Sequence, residues 1–188
     1  MHPIKYVFFV GLLSCFSWAA AQDLPTFTQI KNNTASSEAI LLDRHGQVLQ
    51  SLRLNSRGRR LAWIPLAQIS PAVIQAVLAS EDQRFYQHDG VEWQAFGGAG
   101  WDSLTGEQRG ASTISMQLVG LLDEDLRARN KGRSIWQKMN QIQAAGELEK
   151  NWQKEAILEA YLNLASFRGE AQGISSISQS LFNKQAAG

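Results

Sequence analysis

From Ser70 onward, apolar residues recur with the 3.6-residue period of α-helices. Ser70-Pro71 reads as an N-cap followed by proline at the first helical position. Val73, Ile74, Val77 and Leu78 then fall on one apolar face. Ser112 stands where it would cap a helix running to about Leu122. Arg133 to Glu149 predicts a long helix with Ile135, Met139, Ile142 and Ala145 on one side. Lys154 to Leu164 predicts another, with Ile157, Leu158, Tyr161 and Leu162 inward. Gly169 and Gly173 punctuate the chain before a last helix around Ile174 to Phe182. Upstream, Ala39–Leu42 and Val48–Leu54 flank the turn-forming Asp43-Arg44-His45-Gly46 and predict a β-hairpin. The expected fold class is therefore mainly α with a small N-terminal β-hairpin.

Composition narrows what such a fold is for. At 188 residues the chain makes one domain with a core of its own. Its 44% apolar and 19% charged content excludes a disordered chain. A net charge of +1 argues against a strongly basic nucleic-acid binder, and a single Cys excludes a disulfide framework. Met1–Lys5 is a short basic start, Tyr6–Trp18 is apolar and uncharged, and Ala19-Ala20-Ala21 offers a small-residue cleavage site. Residues 1–21 thus read as a secretory signal peptide, or as a retained signal anchor. The apolar run is shorter than the roughly 20 residues a spanning helix needs. Cleavage before Gln22 would remove both Lys5 and Cys15 and leave a formally neutral chain. Residues 22–38 are polar and read as a linker, and residues 39–188 as the domain. Gly97, Gly98, Gly100, Gly106 and Gly110 mark a long loop.

Three segments carry chemistry. Glu81 ends the helix that begins at Pro71, with Asp82 beside it. A carboxylate desolvated at such a helix end, next to aromatics, becomes a better base near neutral pH. The plainer alternative is a polar helix terminus. Gly110–Leu118 is a glycine-led helix start rich in hydroxyls, where free N–H groups and the helix dipole favour an anion. Taken by itself, ordinary helix capping is the simpler reading of it. Arg133, Lys138 and Lys154 build either a cationic wall or ordinary solvated faces. No Asp, Glu and His set stands at metal-ligand spacing.

Taken in order, these segments resemble the signatures of the family 51 peptidoglycan glycosyltransferases. Glu81–Gly90 matches E-D-x-x-F-x-x-H-x-G, and Gly110–Leu118 matches G-A-S-T-I-x-x-Q-L. Lys154–Asn163 matches K-x-x-I-L-E-x-Y-L-N, and Gly173–Lys184 resembles the last signature. Asp43–Leu49 is similar to the D-R-x-G-x-x-L that precedes this domain in class A penicillin-binding proteins. The nearest likeness is to the penicillin-binding protein 1C branch or a monofunctional relative.

The resemblance implies a lysozyme-like glycosyltransferase domain that polymerises lipid II at the outer face of the cytoplasmic membrane. Its partners would be lipid II, the nascent glycan strand and a crosslinking transpeptidase, with no nucleic acid, in an extracytoplasmic location. Glu81 would be the base, and Lys138, aided by Arg133, would stabilise the departing pyrophosphate. Ser112, Thr113 and Gln117 would line the donor cleft. Asp82, Phe85 and His88 would shape the site, His88 through a hydrogen bond within its own loop. Mg2+ or Mn2+ would be the assisting ion where one is used. The third signature, usually R-K-x-x-E, aligns with Gln137-Lys138-Met139-Asn140-Gln141. Gln141 thus occupies a catalytic position, but an amide cannot act as a base. Gly120 stands where many members carry a cation. These departures, and the few residues after Lys184, predict slower turnover and a truncated domain. They also motivate a degenerate lipid II- or partner-binding module as the alternative. A lysozyme-type lytic enzyme, which also uses a helix-end Glu, is a third reading.

Overall fold

A computed structural model describes residues 24–55, 58–92, 112–123 and 135–183. The expected signal peptide, the glycine-rich loop over 97–110, Arg133 and Lys184 lie outside the described residues. Helix α1 spans Phe27–Asn33, and strands β1 and β2 span Glu38–Leu42 and Val48–Arg53. Strand β3 is Arg59–Arg60, and helix α2 is Pro71–Glu81. Helices α3 (Ile114–Leu122), α4 (Ile135–Asn151) and α5 (Lys154–Leu164) follow. Strands β4 (Ser166–Arg168) and β5 (Ala171–Gln172) and helix α6 (Ile174–Phe182) complete the order. Among the described residues no helix is long and apolar enough to cross a membrane.

The mainly α class and the hairpin are as expected, with differences in detail. Part of the 22–38 segment, read as a linker, is α1. Thr26 and Gln29 form a reciprocal capping box at its start. Leu24, Phe27 and Ile30 pack on the core, and Phe27 sets its ring edge-on to Trp63 and Trp152. In the hairpin, Asp43 Oδ1 accepts from the Nα–H of His45 and Gln47, closing the turn in which Gly46 takes φ +79°. β3, β4 and β5 form a second sheet in the order β3-β5-β4, parallel between β3 and β5. Two- and three-residue strands are too short to leave a period in the sequence.

α3, α4 and α5 pack around one core. Ile114, Leu118, Val119, Leu148, Ile157, Leu158 and Leu162 have no exposed surface there. Each such side chain contributes about 1.5–3 kcal/mol of burial. α2 lies on this core through the expected Val73, Ile74, Val77 and Leu78, all partly buried. The face of α4 differs from expectation. Met139 is exposed, whereas Lys138, Gln141, Ala145 and Leu148 are buried. These four repeat at helical spacing, so the stripe is real but half polar. The cap of α3 is also one residue later than expected: the Thr113 hydroxyl, rather than that of Ser112, accepts from Met116 N–H.

Two glycines are dictated by close approach. Gly90 has φ +91°, and a Cβ there would sit 2.7 Å from the Ala145 carbonyl oxygen of α4. Gly173 has φ +80°, and its Cβ would fall 2.5 Å from the Asn163 carbonyl oxygen. Neither position admits a side chain without a backbone shift. Gly90 thereby lets the loop after α2 lie directly on α4.

Candidate active site

The site forms where the C-terminus of α2 meets the N-terminus of α3. Glu81 is the last residue of α2, and Asp82 leaves the helix with φ −163° and ψ 80°. That change of backbone direction sends adjacent carboxylates to different places. Asp82 is 5% exposed; Glu81 is exposed. Among the described residues no apolar wall covers Glu81, which accords with the plainer alternative of a polar helix terminus.

Asp82 fastens the two elements together. Its Oδ2 accepts from the Ile114 N–H at 3.0 Å, one of the N-terminal amides of α3 that no helical carbonyl can satisfy. His88 Nε2 lies 3.0 Å from each Asp82 oxygen. Phe85, 1% exposed, belongs to the core. The Thr113 hydroxyl donates to Gly90 O at 2.6 Å while capping α3. Asp82, Phe85, His88 and Thr113, expected to shape or line the cleft, are thus brought together as a buried brace.

Beneath the brace lies a cation that is fully used. Lys154 Nζ donates to His88 O at 2.6 Å and to Glu149 Oε1 at 2.7 Å, and it sits 4.4 Å from the centre of the Phe85 ring. Ser115 Oγ donates to the same Glu149 oxygen. The Glu149 side chain is 5% exposed, so its charge is balanced inside the protein. The sequence offered Lys154 as part of a cationic wall; its hydrogen bonds make it a strut. Glu149 and Ser115 were not distinguished in the sequence, because a buried polar pair leaves no period.

The outward layer is different. Gln117 Nε2 donates to Glu81 Oε2 at 2.9 Å and to Ser112 O at 3.4 Å. Tyr161, on α5, donates through Oη to Gln117 Oε1 at 3.1 Å. Burial, reinforced by the nearby Glu81 charge, pushes the Tyr161 phenol well above its ordinary range. Lys138 is 8% exposed, and its Nζ donates to Ser112 Oγ at 3.3 Å. A cation and a hydroxyl therefore stand together at the start of α3, where the helix dipole adds positive potential.

Gln141 belongs to neither layer. It is 2% exposed, and its Nε2 donates to Met116 O at 2.7 Å, tying α4 to α3. Its Oε1 has no partner among the described residues. A carboxylate in that place could not donate to the carbonyl, so the amide suits this packing. Gly120 is buried on α3. Among the described residues no three His, Cys, Asp or Glu side chains are grouped to hold a metal ion. An Mg2+ or Mn2+ ion at the site would draw its ligands from elsewhere. A separate groove lined by Phe27, Trp152, Ala156 and Glu159 contains none of the residues above.

Residues 45–188 match the family model described as Transglycosylase. The chain is 40% identical over 131 residues to the biosynthetic peptidoglycan transglycosylase of Pasteurella multocida, covering 66% of this chain and 49% of that one. It is 34% identical over 151 residues to the protein of the same name from Rhodospirillum centenum, covering 76% and 61%. It is 34% identical over 134 residues to penicillin-binding protein 2D of Bacillus subtilis, covering 69% of this chain and 18% of that one. The chain thus spans about half the length of most of the curated transglycosylases it matches.

Proposed function

This chain belongs to the transglycosylase family, and on that premise we propose that it polymerises lipid II into glycan strands outside the cytoplasm. The observation that carries the reading is the outward layer of the site. An exposed carboxylate, Glu81, is held by Gln117, while the Lys138–Ser112 pair stands at the start of the same helix. That is one proton acceptor and one anion-stabilising group, the two needs of a displacement with a pyrophosphate leaving group.

In the proposed reaction the 4-hydroxyl of the acceptor GlcNAc attacks the anomeric carbon of the donor strand. Glu81 takes the hydroxyl proton as the new glycosidic bond forms. The bond to the undecaprenyl pyrophosphate oxygen breaks, and the anomeric configuration inverts. Lys138 offsets the charge gathering on the leaving pyrophosphate, and Ser112 Oγ donates to it. Arg133 is proposed as a second cation. Asp82, Phe85, His88 and Thr113 act by holding α2 and α3 in register. The active surface faces the outer leaflet, where lipid II is presented, and a transpeptidase crosslinks the product.

The test is polymerisation of lipid II by the chain without residues 1–21, followed by gel separation of glycan strands. Polymer from the parent and none from Glu81→Gln supports the reading; equal polymer from both removes Glu81 as the base. The second reading, binding without turnover, rests on Gln141 and Gly120. Saturable lipid II binding with no polymer from the parent chain would favour it.

A further inference from the structure

We propose that Tyr161 is a positioning residue for Glu81, acting through Gln117: its hydroxyl holds the Gln117 amide oxygen and so anchors the amide whose NH2 meets the carboxylate. The proposal rests on the reading of Glu81 as the base.

A Gln side chain can present either its NH2 or its carbonyl oxygen to a given neighbour, and only one choice suits a carboxylate. Near Gln117 the neighbours on one side are both acceptors, Glu81 Oε2 at 2.9 Å and Ser112 O at 3.4 Å. On the other side is a single hydroxyl, Tyr161 Oη at 3.1 Å. With Nε2 toward Glu81, all three contacts are satisfied. Reversed, the Gln117 oxygen would face two acceptors and two hydrogen bonds would be lost.

With the Gln117 NH2 committed to Glu81 and Ser112, its carbonyl can only accept, and Tyr161 meets it as the donor. Tyr161 is 5% exposed and carried on α5, whose neighbours Leu158 and Leu162 are fully buried. Its ring is therefore anchored in the core while its hydroxyl reaches the site. Burial, with the Glu81 charge beside it, pushes the phenol further above its ordinary range, so the hydroxyl stays neutral. The result is a one-way chain from α5 through α3 to the end of α2: Tyr161 O–H to the Gln117 carbonyl, then Gln117 N–H to Glu81. Donation into the carbonyl also polarises the amide and strengthens its N–H as a donor. Glu81 is exposed, and among the described residues Gln117 is the hydrogen-bond partner of its carboxylate, so this chain holds it at one angle.

The experiment uses Tyr161→Phe, which keeps the ring and removes the hydroxyl, alone and with Gln117→Ala. Losing one orienting hydrogen bond predicts a kcat for lipid II polymerisation about 3- to 10-fold lower, with KM within about twofold of the parent. In the Gln117→Ala background the same substitution should change kcat by less than about twofold, because its route to Glu81 is gone. An undiminished kcat in Tyr161→Phe, or an equal loss in both backgrounds, overturns the proposal. The second measurement needs no turnover. In 15N-labelled protein the Gln117 side-chain NH2 resonances should shift in Glu81→Ala and shift again in Tyr161→Phe. A Gln117 amide unmoved by Tyr161→Phe overturns the proposal even if the parent chain makes no polymer. A silent parent chain with the expected amide shifts would instead count against the polymerase reading alone.

Discussion

Glu81 and Asp82 are neighbours in the chain and carry the same functional group, yet one is exposed and the other is 5% exposed. Glu81 meets a side-chain amide that leaves its second oxygen available to a substrate. Asp82 is consumed by the Ile114 N–H and His88. The two lysines of the site differ in their partners rather than in exposure. Lys154 donates to Glu149 and the His88 carbonyl, and Lys138 donates to the Ser112 hydroxyl at a helix start. The site thus contains two sets of contacts, a brace and a working surface. The brace aligns α2 with α3, and the surface does the proposed chemistry. Substitutions in the two layers should fail in different ways.

The largest effect is expected in the brace. Lys154→Met removes the cation from a Glu149 side chain that is 5% exposed. Breaking a buried pair from one side costs about 3–5 kcal/mol, read as the drop in unfolding free energy in urea. Asp82→Ala leaves the Ile114 N–H and His88 without their partner. We expect a loss of about 2–4 kcal/mol in the same measurement. A loss below about 1 kcal/mol in either would mean that the brace does not carry the fold.

Gln141 sharpens the comparison because the R-K-x-x-E pattern that its segment resembles would put a carboxylate there. Here the amide donates to Met116 O, and Glu could not do so unless protonated. Gln141→Glu is therefore expected to lower stability by about 1–3 kcal/mol and to give no gain in polymer. A faster and equally stable variant would place residue 141 in the working surface instead.

A smaller effect, on pH dependence, comes from a third place. Glu159 is half-buried; that desolvation alone would raise its pKa. Donation from Leu66 N–H, Trp63 Nε1–H and Lys31 Nζ outweighs it and holds the carboxyl below its ordinary range. A lowered folded pKa stabilises the protein above the unfolded value of about 4.3, and that stability is lost as pH falls through the folded value. The difference in urea midpoint between the parent and Glu159→Gln should be constant above about pH 5.5 and shrink below about pH 4. A difference that does not change with pH would remove the ion from this account.

The sequence made the strongly periodic parts of this molecule readable. Lys154–Leu164 and Ile174–Phe182 are helices with the bounds their patterns implied, and the Ser70-Pro71 signal marks the start of α2. The hairpin followed from its turn residues. What escaped did so for identifiable reasons. Helix α1 was hidden by polar composition, although Thr26 and Gln29 at capping-box spacing, with Leu24, Phe27 and Ile30 around them, were a usable signal. α4 misled because its inward stripe contains Lys138 and Gln141, and an apolar count turns such a stripe outward. The candidate site residues were named by resemblance, and their orientation was not legible. Nothing in Glu81-Asp82 says which carboxylate turns inward; the break in backbone direction at Asp82 decides it.

The division between brace and surface is tested most directly at Glu81, with stability and polymerisation measured on the same preparation of Glu81→Gln. The account predicts an unfolding free energy within about 0.5 kcal/mol of the parent, as for an exposed side chain, together with loss of lipid II polymerisation. A Glu81→Gln protein that polymerises at the parent rate, or one that loses activity only because it unfolds, would contradict it.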